Sequence, residues 1–362
     1  MSPNASTSPK TPLQHIKPEV RQIAGYRLTS YDCPVKLNQN ESPFDVPDEI
    51  KDRILNAVRN QPWSRYPDSM PMELVAAIAD YASVSPESIV VSNGSNTLAA
   101  VLLSVTVGPG SRVVMPSPSF SLYEQYTRVH GAEPVTVPLD ENFEYNVGAL
   151  INASEGATLV IVCSPNNPTG TALSRSDLQQ LLEGTDALVL VDEAYAEFSG
   201  ANVTTMLDRY PNLIVLRTLS KAFGAAGIRI GYLIAHPDIA AEVLKGKLPF
   251  NIGFFPAAAG LEILRHKDLI RERIASICSE RDRVFAALEA LSGVRPIPSE
   301  ANFICMRLAE PGTVFTRLVE LGVLVRDVTG YPNLHDALRV SIGTAEENNR
   351  FLEALNIALK EN

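Results

Sequence analysis

Cysteine and histidine are scarce in this sequence of 362 residues, which contains four cysteines and five histidines. Cys33, Cys163, Cys278 and Cys305 lie far apart, with no CxxC pair and no histidine nearby at the spacing of a metal ligand. A disulfide scaffold and a structural zinc site are therefore not expected, and a reducing cytoplasm is the predicted location. The sequence also has no GxSxG motif, so the histidines give no support to a hydrolase triad.

Long apolar runs and an excess of basic charge are also absent. No uninterrupted apolar stretch approaches 18 residues, so we expect no membrane span. The 41 acidic side chains outnumber the 31 basic ones and give a net charge of −10, which argues against a nucleic acid as the main partner. Residues 1–14 are rich in Ser, Pro and Thr without a signal-peptide core, and are predicted to form a loose tail.

Seven short β-branched runs alternate with helical patterns in the first two thirds of the chain. Several of these runs are apolar at successive positions, which is typical of strands covered on both faces. The alternation predicts an α/β fold with a mainly parallel seven-stranded sheet flanked by helices. The predicted strands span residues 89–91, 112–115, 134–137, 158–163, 187–191, 213–217 and 230–235.

The pattern changes at about residue 256 to long amphipathic helices, followed by short strands and a last helix from Ala345. This change predicts a second, smaller α+β domain at the C-terminus. The predicted organisation is an N-terminal tail and arm that packs with the small domain, a large domain and a small domain. Their boundaries are 1–45, 46–255 and 256–362.

Polar residues follow four of the predicted strands, at the edge of the sheet where open α/β folds bind ligands. Each segment has an ordinary structural interpretation: a capped helix start, a rigid Asn-Pro turn, a helix N-cap for Asp192 and a solvated lysine. Lys221, however, follows an apolar strand and has Arg229 eight residues later. Burial near another cation would lower its pKa and make its amine nucleophilic. The four segments are SNGSN (92–96), SPNNPTG (164–170), DEAY (192–195) and TLSKAFG (218–224).

Together these strand ends supply the groups that pyridoxal 5'-phosphate requires. The aldehyde needs a lysine amine, the ring nitrogen a carboxylate, the phenolic oxygen hydrogen-bond donors, and the phosphate a helix start with Ser and Arg. A nucleotide-binding sheet would instead carry GxGxxG or GxxxxGK[ST], and neither motif occurs. The combination therefore favours this cofactor over a binding-only function.

The sequence resembles the histidinol-phosphate aminotransferase family, which has the fold type I of pyridoxal-phosphate enzymes (the aspartate-aminotransferase fold). The resemblance implies a cytoplasmic homodimer with shared active sites that transaminates histidinol phosphate with 2-oxoglutarate. Aromatic-amino-acid aminotransferases and threonine-phosphate decarboxylases share most of these motifs and remain alternatives, as does a cofactor-binding domain without catalysis. Besides the four strand-end segments, the matching segments are KLNQNESPF (36–44), RYPD (65–68), SPSFSLY (117–123), ANF (301–303), GVLVRD (322–327) and LRVSIGT (338–344).

The same resemblance implies the residues that hold the cofactor. Lys221 is similar to the lysine that binds the aldehyde and later carries the proton, and Asp192 to the partner of the ring nitrogen. Tyr195 is the third residue predicted to be catalytic, beside Lys221 and Asp192. Phe120 stands where many relatives have a tyrosine over the ring. The cofactor-binding set is Tyr66, Ser95, Asn96, Phe120, Asn167, Asp192, Tyr195, Ser220, Lys221 and Arg229.

For the substrate, the resemblance implies two arginines. Arg339 corresponds to the arginine that holds the anionic group of the substrate, and Arg326 to its companion, for which a surface salt bridge is the ordinary alternative. Tyr66 would reach the site of the neighbouring subunit. Asn40 is also predicted to bind substrate, although the family's usual Asn-Glu-Asn-Pro is Asn-Glu-Ser-Pro here.

Overall fold

A computed structural model describes residues 12–25, 29–200 and 202–361. Residues 1–11 of the predicted tail and 26–28 of the predicted arm lie outside the described residues. The strands are β1 Val35–Lys36, β2 Ile89–Ser92, β3 Arg112–Ser117, β4 Glu133–Pro138, β5 Leu159–Cys163, β6 Leu188–Asp192, β7 Leu213–Thr218, β8 Gly231–Ala235, β9 Val294–Pro296, β10 Phe303–Leu308, β11 Val323–Leu324, β12 Arg326–Asp327 and β13 Ala337–Ser341. The α-helices are α1 Pro18–Arg21, α2 Asp48–Arg59, α3 Met72–Ala82, α4 Ser95–Thr106, α5 Leu122–Val129, α6 Val147–Ala153, α7 Arg175–Gly184, α8 Ala196–Ser199, α9 Pro237–Gly246, α10 Phe254–Leu264, α11 Lys267–Glu289, α12 Pro311–Glu320 and α13 Ala345–Lys360.

The large sheet has seven strands in the order β2-β8-β7-β6-β5-β3-β4. Only β8 runs antiparallel to its neighbours, and the other pairings are parallel. The predicted α/β class and mainly parallel sheet are therefore confirmed, with strand ends within two residues of those predicted. Strands β5 and β7 are buried at every residue because apolar helix faces pack on both sides, with Leu98 of α4 on one face and Leu178 of α7 on the other.

A smaller α+β unit follows the large sheet. Its antiparallel sheet has the order β12-β13-β10-β9, and β1 pairs with β11 in parallel. Helix α10 starts close to the predicted boundary at residue 256, yet it packs against α2 and α3 of the large unit. The domain boundaries themselves stay predictions. Within the described part of the chain, no helix is both long and apolar enough to cross a membrane.

The segment after β1 joins the two units. Asn40 is buried and donates its backbone N–H to Ser341 Oγ at 2.8 Å, while its carbonyl accepts from Asn302 Nδ2 at 3.0 Å. Its φ of +54° lies in the left-handed region, which asparagine tolerates better than most residues. This segment therefore closes one side of a space between the small sheet and the carboxyl ends of β5, β6 and β7.

Candidate active site

A cavity of about 250 Å³ lies between the two units. It is lined by every predicted site residue except Tyr66, so residues from eight separated segments meet in one place. The lining residues that had been predicted are Asn40, Ser95, Asn96, Phe120, Asn167, Asp192, Tyr195, Ser220, Lys221, Arg229, Arg326 and Arg339. Their individual roles stay predictions.

Lys221 lies just beyond the end of β7 and is half-buried. Its Nζ donates to the carbonyl oxygen of Gln39 at 2.9 Å. Burial is the main cause that lowers its pKa to about 8, and the charge of Arg339 adds to it, ahead of that of Arg229. The sequence pointed to Arg229 as the nearby cation, and its charge does lower the pKa of Lys221; Arg339 of the small sheet lowers it more. The amine is thus available in its neutral form near pH 8.

Asp192 ends β6 as a buried carboxylate held by uncharged donors. Its Oδ1 accepts from the backbone N–H of Ala194 at 3.0 Å, its Oδ2 accepts from the Tyr123 hydroxyl, and Cys163 Sγ lies 3.8 Å from the same oxygen. It does not act as a helix N-cap, because α8 begins later and has Tyr195 at that position. Among the described residues it forms no ion pair. Burial raises its pKa and the hydrogen bond from Tyr123 opposes that rise.

The start of α4 lies beside Arg229. The N-cap is Gly94, which provides no side chain to accept from the first N–H groups of the helix, and Ser95 and Asn96 of this first turn line the cavity. Gly94 has φ of +86°, and a Cβ there would lie 2.5 Å from a guanidinium nitrogen of Arg229. Arg229 Nη1 in turn donates to Ser220 Oγ at 3.2 Å. Free helix N–H groups next to a guanidinium and a hydroxyl form an anion site.

Asn167 and Tyr195 are oriented by hydrogen bonds from outside their own segments. Arg339 Nη1 donates to Asn167 Oδ1, which leaves the amide Nδ2 of Asn167 as a donor toward the cavity. The Tyr195 hydroxyl accepts from Asn40 Nδ2 at 3.0 Å. The amide oxygen of Asn40 accepts from Ser341 Oγ at 3.1 Å. Asn40 therefore supports Tyr195 in the wall of the cavity, and its predicted contact with substrate stays untested.

Two arginines lie together at the small-sheet end of the cavity. Arg326 and Arg339 are directly opposite each other in the β12–β13 pairing. Arg339 donates Nη2 to the carbonyl of Asn38 at 2.9 Å, while its Nε is buried without a hydrogen-bond partner. Within the described residues neither arginine forms an ion pair. The surface salt bridge considered for Arg326 is thus not found there, and the pair leaves positive charge available for an anion.

Phe120 and Tyr66 differ in their placement. Phe120 lines the cavity and packs edge-on against Tyr123, with ring centroids 5.6 Å apart. Tyr66 lies outside the cavity with 82 % of its surface exposed, and stacks on Phe250 at 4.9 Å between centroids. It therefore takes no part in the site of its own chain.

Sequence reasoning missed several residues that line the cavity and also Tyr123, which contacts Asp192. Tyr123 stood within the SPSFSLY segment and received no role, although a tyrosine on the first turn of a helix that follows a strand end was an available signal. A second available signal was the presence of polar residues within or beside the quoted segments, since neighbours of a site residue often line the same cavity. The missed lining residues are Asn38, Gln39, Ser121, Cys163, Ala194, Thr218 and Tyr331.

Comparisons with known proteins agree with this geometry. The family model for aminotransferase class I and II matches residues 34–355. A histidinol-phosphate aminotransferase of Chlorobaculum tepidum is 41 % identical over 344 residues, which cover 94 % of this chain and 99 % of that protein. The crystal structure of the histidinol-phosphate aminotransferase from Clostridium acetobutylicum superposes with a TM-score of 0.85 at 25 % identity, covering 91 % of this chain and 100 % of that one.

A second solved structure shows how widely the fold is shared. The L-threonine-O-3-phosphate decarboxylase from Porphyromonas gingivalis superposes with a TM-score of 0.79 at 25 % identity, covering 90 % of this chain and 99 % of that one. Fold alone therefore does not separate amino transfer from decarboxylation. The family is shown by the family model together with the near-full-length relative: the chain belongs to the class I and II aminotransferases and, within them, to the histidinol-phosphate aminotransferase family.

Proposed function

We propose that this aminotransferase binds pyridoxal 5'-phosphate and transfers the amino group of histidinol phosphate to 2-oxoglutarate. The observation that carries the proposal is a cavity with an anion site at each end and Lys221 between them. One anion site is the start of α4 with Arg229, and the other is the pair Arg326 and Arg339. A phosphorylated cofactor and an anionic substrate require two such sites. The relatives named histidinol-phosphate aminotransferase support this substrate.

The residues present fit the cofactor. The uncapped N–H groups at Ser95 and Asn96, with Ser220 and Arg229, would hold its phosphate. Asn167 Nδ2 and the Tyr195 hydroxyl would donate to its phenolic oxygen, and Phe120 would stack on its ring. Asp192 is a buried carboxylate without a cationic partner in the described residues, which suits a protonated ring nitrogen.

Proton transfer falls to Lys221. Its pKa of about 8 lets the neutral amine bind an aldehyde and, once released, accept a proton from the α-carbon of the substrate and return it to another carbon. When bound, pyridoxal 5'-phosphate supplies an electron sink for the pair left on that carbon. Asp192 would hold a proton on the ring nitrogen, and the hydrogen bond from Asn40 Nδ2 keeps the Tyr195 hydroxyl in place.

The paired arginines account for two substrates in one site. Arg339 has a buried Nε without a partner, and Arg326 contributes a second guanidinium from the facing strand. Guanidinium groups bind phosphate and carboxylate oxygens in the same fork geometry. The phosphate of histidinol phosphate and a carboxylate of 2-oxoglutarate can therefore bind in turn at the same place.

A homodimer is part of the proposal. Tyr66, Trp63 and Leu248 are 82 %, 76 % and 74 % exposed, and Tyr66 stacks on Phe250, which is itself exposed. A second copy of the chain would cover this surface and would bring Tyr66 to the neighbouring cofactor, as the family resemblance implies. Sedimentation as a monomer would remove this part of the proposal. The four unpaired cysteines support a reducing, cytoplasmic setting.

The substrate assignment is tested with purified protein, 2-oxoglutarate and a panel of amino donors. We expect kcat/KM for histidinol phosphate to exceed that for phenylalanine and tyrosine at least tenfold. Arg326→Gln should lower kcat/KM for histidinol phosphate by about tenfold or more and affect phenylalanine less, because a charge-assisted hydrogen bond to phosphate is lost.

Arg295→Gln is the matched control, since Arg295 is an exposed arginine on β9 of the same small sheet, outside the cavity. A higher kcat/KM for phenylalanine, with Arg326→Gln affecting all donors equally, would instead support an aromatic-amino-acid aminotransferase. Release of carbon dioxide without a keto acid would support a decarboxylase.

A further inference from the structure

The ring-nitrogen partner Asp192 is itself held by a residue to which no role has been given. The Tyr123 hydroxyl donates to Asp192 Oδ2, and Tyr123 is only 3 % exposed on the buried face of α5. The other oxygen, Oδ1, accepts from the backbone N–H of Ala194 at 3.0 Å. One donor on each oxygen fixes the rotation of the carboxylate plane, because turning the group would break both hydrogen bonds.

We propose that Tyr123 is a positioning residue that holds Asp192 ionised and oriented toward the ring nitrogen of the cofactor. This inference rests on the proposed function, since it concerns the same bound ring. Tyr123 would act through Asp192 and not by touching the substrate.

The surroundings of Asp192 explain why such a donor is needed. In the described residues, no lysine or arginine forms an ion pair with Asp192, and a buried carboxylate without a partner tends to take up a proton. Burial raises the pKa of Asp192, Glu193 next to it raises it further, and the hydrogen bond from Tyr123 lowers it. The titratable groups that interact with Asp192 are Tyr123 from α5, Cys163 from β5, Glu193 and Tyr195 from the segment after β6, Tyr145 from the segment before α6, and Lys221 after β7.

The Tyr123 hydroxyl keeps its proton at neutral pH and can therefore act as a hydrogen-bond donor there. Its hydroxyl is fully enclosed, and both burial and the negative charge of Asp192 raise the pKa of Tyr123 well above its usual value. The same causes raise the pKa of Cys163, so its thiol also faces Asp192 as a weak donor. Two neutral donors therefore stabilise the carboxylate without neutralising the charge that the ring nitrogen requires.

The test compares two ligands on the cofactor-free protein: pyridoxal 5'-phosphate and an analogue in which carbon replaces the ring nitrogen. Tyr123→Phe should weaken binding of pyridoxal 5'-phosphate about tenfold, the effect of a lost hydrogen bond to a charged group. Binding of the analogue should change less than twofold, since it offers Asp192 no ring N–H. Equilibrium dissociation constants from fluorescence titration give both values.

The pH dependence gives a second measurement. Without the Tyr123 hydrogen bond the pKa of Asp192 rises, so the affinity of Tyr123→Phe for pyridoxal 5'-phosphate should be lost at a higher pH on acidification than that of the unmodified protein. In turnover, kcat should fall with little change in KM. Tyr126→Phe is the control, because Tyr126 lies on the same helix and its hydroxyl forms no hydrogen bond within the described residues.

If Tyr123→Phe weakened the binding of both ligands equally, Tyr123 would have a merely structural role and the inference would be overturned. The inference would also be overturned if the variant lost its affinity for pyridoxal 5'-phosphate at the same pH as the unmodified protein on acidification. Failure of the proposed function looks different, because the unmodified protein itself would then bind neither ligand.

Discussion

Asp192 and Glu193 are adjacent buried carboxylates at the end of the same strand, yet they have opposite surroundings. Asp192 lines the cavity and is held by uncharged donors. Glu193 forms a buried ion pair with Arg217, 2.6 Å apart, in which the side chains are 1 % and 7 % exposed. Successive residues of a strand point to opposite faces of the sheet, so one carboxylate faces the ligand site and its neighbour faces the core. A carboxylate kept without a cation is available to a ligand, whereas a paired one contributes to the fold.

Replacing the cavity-side carboxylate should give the largest effect, and it should be on catalysis. Asp192→Asn keeps the size of the side chain but removes the charge, so kcat should fall by about 10³-fold. The thermal unfolding temperature should change little, because a neutral amide is less costly to bury than a carboxylate. Steady-state kinetics and thermal unfolding of the same preparation measure both. If Asp192→Asn kept its activity, the conclusion that Asp192 serves catalysis while Glu193 serves stability would be wrong.

Replacing the core-side carboxylate should affect stability instead. Glu193→Gln leaves the buried guanidinium of Arg217 without its anion, which should lower the free energy of unfolding by about 3–5 kcal/mol. Urea unfolding monitored by circular dichroism measures this loss. At temperatures where the variant is folded, its kcat should stay within a few-fold of the unmodified value. A stable variant with poor kcat would contradict the assigned division of roles.

A third carboxylate, that of Glu197, should make the stability of the protein depend on pH. Its Oε1 is buried without a hydrogen-bond partner, and burial is the main cause that raises its pKa from 4.5 to about 7, against the charge of Arg217. The folded state therefore binds more protons than the unfolded state between these values, and stability falls as pH rises through this range. Glu197→Gln should remove that fall.

The expected gain for Glu197→Gln over the unmodified protein is about 1–3 kcal/mol at pH 8 and close to zero at pH 4.5. The free energy of unfolding, measured by urea titration at several pH values, gives the difference. A pH dependence of stability that is the same in Glu197→Gln and the unmodified protein would show that folding does not raise the pKa of Glu197.

The sequence alone determined the parallel sheet and the content of the site. Alternating apolar runs and helical patterns follow from local periodicity, and SPNNPTG, DEAY and TLSKAFG stand directly after strands whose carboxyl ends must share one edge. The sequence alone therefore predicts that Lys221, Asp192 and Asn167 lie together, because the carboxyl ends of parallel strands share one edge of the sheet.

The hydrogen-bond and ion-pair partners of these groups follow from the folded structure and not from the motifs. The DEAY segment does not show that Glu193 pairs with Arg217 while Asp192 accepts from Tyr123. The lysine segment does not show that the charge of Arg339 lowers the pKa of Lys221 more than that of Arg229 does. Those contacts join elements that are distant along the chain. Their energies depend on burial and on distances that arise only when the small sheet closes over the large one, since a low-dielectric environment makes charge interactions strong.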